Sequence, residues 1–115
     1  MPQLTPETLI LLAYLVAGGL QVVLGLPLYF CKVPPNRIYG FRTSKTLRNP
    51  QTWYSVNRIA GGWMVLLGAT VAGVATWVER RGYEVVPAAK INLLVFVTGL
   101  LVMLLHTIFT LRKLP

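Results

Sequence analysis

The residues best equipped for chemistry crowd into one stretch, NRIYGFRTSKTLRNPQTWYSVNRIAGG, from Asn36 to Gly62. Arg42 and Arg58 bring guanidinium groups, Thr43 and Thr46 hydroxyls, Asn57 an amide and Trp53 an indole N–H. Trp53, Asn57 and Gly61 recur every four residues, so in a helix they share a face, with Arg58 beside Asn57. Such a set recognises anions and carbonyl groups. Gly40 permits a turn that aims Arg42 inward, and Gly61 leaves a gap where another backbone can approach. The stretch contains no acid. Its arginines must therefore find backbone carbonyls at helix C-termini, lipid phosphates or an external acidic partner. Two readings stand side by side: a loop that anchors to lipid and locks helices together, and a specific ligand or protein site.

Catalysis finds little support. The chain has one His, one Cys and three acids, Glu7, Glu79 and Glu84, with no Asp. A Ser/His/acid set needs converging partners that His106 lacks, and metal binding needs more Cys, His or carboxylate ligands. No glycine-rich GxxxxGK cradle is present. A proton-driven exporter would place a carboxylate inside a membrane span, and none of the three Glu falls there. Neither an enzyme nor a cofactor is expected. Cys31 has no partner for an intrachain disulfide and reads as a small hydrophobe.

The elements that must position the stretch are apolar. The 115 residues are 55% hydrophobic and 12% charged, with a mean hydropathy of +0.62. A soluble domain this small could not hide so much apolar surface. Three runs match a hydrocarbon core about 30 Å thick: roughly Leu9 to Phe30, Ile59 to Val78 and Ile91 to Leu111. Each must be helical, because lipid offers nothing to open backbone groups. The expectation is all-α: one domain over residues 1–115, a transmembrane bundle of three helices with a structured basic loop, residues 34–61, between the first two.

Thr5-Pro6-Glu7 marks the first helix start. Pro27 should bend or end that helix, and Val33-Pro34-Pro35-Asn36 reads as a turn. Asn49-Pro50 repeats the cap-then-proline signal, so the second helix starts there and runs to about Glu79, about 43 Å. Trp53 and Tyr54 then fall at headgroup level, where amphipathic rings are favoured. Arg80-Arg81-Gly82 ends the helix, and Pro87 lies just before the third. No Lys or Arg precedes the first run, which argues against a cleavable signal peptide.

Net charge is +8. Most cations flank apolar runs, where they face lipid phosphate rather than nucleic acid. Eight Lys and Arg fall on the side of the loop and C-terminus, against three on the other. The positive-inside rule puts the loop and C-terminus in the cytoplasm and the N-terminus outside. Close helix packing needs small residues. The second helix has Gly68, Ala72 and Thr76, and beside them Ala69 and Gly73; the first offers Ala13, Ala17 and Gly18, the third Thr98 and Gly99. The second helix is expected to be central, and the same stripe would equally build a homo-oligomer. Gln21 is expected to hydrogen-bond another helix, and His106 to hydrogen-bond near the interface.

The stretch PPNRIYGFRTSKTLRNPQTWYSVNRIAGG resembles the signature of the SdpI family, bacterial membrane proteins named for immunity to a sporulation-delaying toxin peptide. The family pattern P-x-N-x-x-x-G-x-R-T, then T-L, then W-x-x-x-(N/H)-(R/K)-x-x-G is met by Pro34, Asn36, Gly40, Arg42, Thr43, Thr46, Leu47, Trp53, Asn57, Arg58 and Gly61. Ser44 stands where the family often has Pro, which implies a looser turn. The resemblance implies a three-helix unit, preceded by further helices in longer members, and no catalytic residues. It also implies protection against a membrane-active peptide, with capture of a repressor at the membrane.

The expected function is thus an immunity-like binding protein of the bacterial inner membrane. It would bind a toxin peptide or a cytoplasmic partner through Arg42, Trp53, Asn57 and Arg58. The alternatives are a structural or accessory subunit of a larger membrane complex and an oligomeric carrier for lipids or anions. Membrane lipids are expected partners in every case.

Overall fold

A computed structural model describes residues 3–114. Met1, Pro2 and Pro115, which the expected domain includes, lie outside the described residues. Helix α1 runs Pro6–Tyr29, α2 Ser44–Arg48, α3 Pro50–Arg80 and α4 Val85–Lys113. No strand occurs among the described residues. The architecture is all-α, and α1, α3 and α4 are each long and apolar enough to cross a membrane.

Local chemistry explains the boundaries. The Thr5 side chain accepts the Thr8 N–H at 3.2 Å, and Pro6 opens α1 without losing a bond. Pro27 does not end the helix; α1 continues to Tyr29. What ends it is Cys31 at φ +57, the left-handed region. There the Cys31 N–H reaches the Leu28 carbonyl at 3.2 Å and the Lys32 N–H reaches the Pro27 carbonyl at 2.9 Å. That paired closure is usually built on glycine. The Asn49 side chain caps α3 by accepting the Gln51 N–H at 3.0 Å. At the far end Gly82, at φ +74, turns the chain toward α4. The last helix begins at Val85, not after Pro87. Pro87 falls in the first turn, where a missing N–H leaves nothing unsatisfied.

Helix α3 is central and carries most of the buried residues. Its seam with α1 is made of two glycine pairs. A Cβ on Gly18 would lie 2.5 Å from the Gly68 carbonyl oxygen, and one on Gly25 would lie 2.7 Å from that of Gly61. Each pair is two helical turns from the other on both helices, running antiparallel. Only part of the expected stripe is used. Ala72 meets Gly18, while nothing approaches Gly73. On the α4 side, a Cβ on Gly99 would overlap the Leu67 side chain, and Tyr14 of α1 meets the Phe96 ring edge-on at 6.2 Å. The Gln21 Oε1 is buried with no hydrogen-bond partner, so the expected inter-helix bond from that atom is not formed.

Candidate functional site

The connector between α1 and α3 is folded by its own polar side chains. Asn36 Oδ1 accepts the N–H groups of Ile38 at 2.9 Å and Tyr39 at 2.7 Å, while its amide donates to the Pro34 and Tyr39 carbonyls. This one residue closes the turn after the proline pair. Gly40 follows at φ +118, and a Cβ there would meet Asn57 Oδ1 and the Trp53 ring, each at 2.9 Å. Glycine is required twice over, for the dihedral and for the space.

Thr43 and Thr46 then form a reciprocal cap. The Thr46 N–H donates to Thr43 Oγ1 at 3.1 Å, and the Thr43 N–H donates to Thr46 Oγ1 at 2.8 Å. This starts α2, a five-residue helix that hydrophobic periodicity could not signal. Ser44 is its first residue, a position that suits Pro. With Ser44 in that place, the turn is held by the double cap. Lys45 reaches from α2 to the Leu111 carbonyl at 2.7 Å. A cation thus sits at the negative pole of α4, and the loop is tied to the far helix.

The first two turns of α3 complete the assembly. Trp53 is fully buried, and its indole N–H donates to the Val33 carbonyl at 2.8 Å. The ring does not face lipid: the folded connector covers it and supplies the acceptor. Asn57, 1% exposed, accepts the Phe41 N–H at 2.6 Å and donates to the Trp53 carbonyl at 3.0 Å. Gly61 lies against α1, its position for a Cβ 2.6 Å from both the Gly25 oxygen and the Tyr29 nitrogen. The connector also reaches α1 through the Tyr39 hydroxyl, which donates to the Leu24 carbonyl. Burial pushes the Tyr39 phenol above its ordinary pKa of 10.0.

The candidate residues therefore separate into two groups. Asn36, Gly40, Thr43, Thr46, Trp53 and Asn57 turn inward and build the loop, with Gly61 seating α3 against α1. Arg42 and Arg58 are exposed. Arg42 is not aimed inward; its guanidinium donates to the Arg37 carbonyl. Arg58 lies over the Tyr29 ring, 5.2 Å from its centroid. A neighbour that sequence reasoning placed only loosely is His106, whose Nδ1 accepts the Trp63 indole N–H at 2.6 Å across α3 and α4. Beyond the helices, Ile38 is 88% exposed on the connector beside Arg37. Among the described residues no group of three His, Cys, Asp or Glu comes together to hold a metal.

Comparison with known proteins fits this geometry. The model of the SdpI/YfhL protein family matches residues 32–110, which include the connector from Lys32 onward, α3 and most of α4. The uncharacterized protein YfhL of Bacillus subtilis (strain 168) is 33% identical over 63 residues. That stretch is 52% of this chain and 56% of the relative, so the chain spans little more than half of the relative's length. No solved structure gives a match.

Proposed function

The chain belongs to the SdpI/YfhL family, and from that premise we propose an immunity-like binding protein of the bacterial inner membrane. The family match and the three apolar helices make it a multi-pass membrane protein. The finer reading is that its basic connector is a docking plate for an acidic partner at the membrane surface. One observation carries it: the connector turns its neutral polar residues inward and leaves Arg37, Arg42 and Arg48 exposed around Ile38 and Leu47. Among the described residues none of these cations contacts a carboxylate. A plate bearing exposed guanidinium groups, unpaired with any acid, and two exposed aliphatic side chains suits a partner that brings carboxylates and an apolar patch.

Eight cations on the loop side against three on the other favour a cytoplasmic connector and an outer N-terminus. A toxin arriving from outside would then meet the helices first, whereas a cytoplasmic protein would meet the plate. Protection would begin with the toxin's encounter with the bundle and, like signalling, would depend on the partner held on the plate. The test is survival of cells challenged with a membrane-active toxin peptide and expressing the parent or Arg42→Ala. Insertion must be matched, and Ile38→Ser serves as a second variant on the same plate. Loss of protection or of partner recruitment in both variants is expected. Parental survival and recruitment in both would remove the plate from the function.

A further inference from the structure

Three cavities lie on one side of α3 and share lining residues. Near the loop end, a pocket of about 290 Å³ is lined by Tyr29, Arg58, Gly62, Trp63 and His106. From it one trough of about 380 Å³ runs between α1 and α3 past Leu26, Phe30 and Val65. Another, of about 470 Å³, runs between α3 and α4 past Leu67, Leu94, Thr98 and Val102. Leu66 lines all three and forms the ridge where the troughs part. The arrangement is one cationic head pocket flanked by two apolar troughs that part at Leu66.

We propose that this forked groove is a site for an anionic two-chain phospholipid, its phosphate on Arg58 and one acyl chain in each trough. The inference stands apart from the docking plate, which lies on the connector. Apolar troughs alone would take any lipid tail, so the head pocket decides the matter. The Arg58 guanidinium lies over the Tyr29 ring and makes no hydrogen bond among the described residues, which leaves its N–H donors available to phosphate oxygens. The Trp63 N–H occupies His106 Nδ1, so a neutral imidazole carries its proton on Nε2, a further donor on a ring that lines the same pocket. The Tyr29 hydroxyl makes no hydrogen bond among the described residues and is another. No Asp or Glu side chain compensates Arg58 at this end: Glu7, Glu79 and Glu84 all belong to the opposite end of the bundle.

Depth agrees as well. Arg58 lies about 12 Å along α3 from Pro50, and α3, at about 46 Å, exceeds the hydrocarbon core by about 16 Å. Arg58 is thus near the boundary, within a side chain's reach of the phosphate level. The opposite end of α3 provides the internal control. Arg81 lies over Trp77 at 5.7 Å in a similar pairing, but neither residue lines any of the three cavities.

Native mass spectrometry of the full chain tests this. The protein is released from micelles carrying equal phosphatidylglycerol and phosphatidylcholine, after thermal melts show that the variants are folded. The parent is expected to retain one phosphatidylglycerol about tenfold over phosphatidylcholine, about 1.4 kcal/mol. Arg58→Gln should bring the two to parity, Arg81→Gln should leave the preference intact, and Leu66→Trp should lower retention of both by blocking the fork. Equal retention of the two lipids by the parent would mean annular lipid only and would overturn the proposal. So would an Arg81→Gln effect as large as that of Arg58→Gln, or displacement of the lipid by free glycerophosphate. A parental dimer dissolved by Leu66→Trp would assign the troughs to a second copy and would also overturn it.

Discussion

Helix α3 is joined to its two neighbours in different ways. Against α1 the contact is backbone on backbone, through Gly18 with Gly68 and Gly25 with Gly61. Against α4 it is side chain on backbone, with Leu67 resting on Gly99 and an open trough beside it. The first seam has no room to give, and the connector folds directly on it: Trp53 and Asn57 precede Gly61 on the same face. The second seam can adjust by a rotamer. Lipid does not push apolar helices together, so the close seam holds through packing alone, and the loose one leaves a space that lipid can enter. The stable body is therefore α1, the connector and the first half of α3, with α4 tied to it at one end by Lys45.

Substitutions can break this contrast. Trp53→Ala should have the largest effect, about 3–5 kcal/mol in unfolding free energy, since it empties the space under the connector. Unfolding in mixed micelles would measure it, and a loss below about 1 kcal/mol would mean the connector does not rest on that ring. Gly61→Ala should cost up to about 3 kcal/mol, because the added methyl meets backbone atoms that cannot rotate away. The same change at Gly99 meets only the tip of Leu67 and should cost less than about 1 kcal/mol. Equal costs at the two glycines would erase the difference between the seams. The smallest effect has the opposite sign. Cys31→Gly should relieve a left-handed residue and raise stability by about 1 kcal/mol, less the extra freedom glycine has when unfolded.

Much of this could be read from the residues in advance, and the reasons are local. Thr5-Pro6 and Asn49-Pro50 are caps written in neighbouring side chains, and both helices begin there. Trp53, Asn57 and Gly61 share a face because a helix repeats every 3.6 residues, and the structure uses that face. What escaped depends on contacts far along the chain. Helix α2 is five residues long, and its Lys45 is anchored at Leu111, beyond the reach of any periodicity. The burial of Trp53 under the connector was not legible, because sequence does not tell which face a connector will cover. Gly25 is not legible because its seven-residue spacing from Gly18 falls outside the four-residue rows that α3 displays. The forked groove needed all three helices in place before it existed.

The central claim is that the connector is a rigid plate held by inward-facing neutral side chains. Hydrogen exchange of the Phe41 amide, read residue by residue in nanodiscs, tests it most directly. That N–H donates to Asn57 Oδ1 at 2.6 Å, so the account predicts slow exchange in the parent and fast exchange in Asn57→Ala with the helices still protected. Exchange at Phe41 as fast as in an unstructured chain would contradict it.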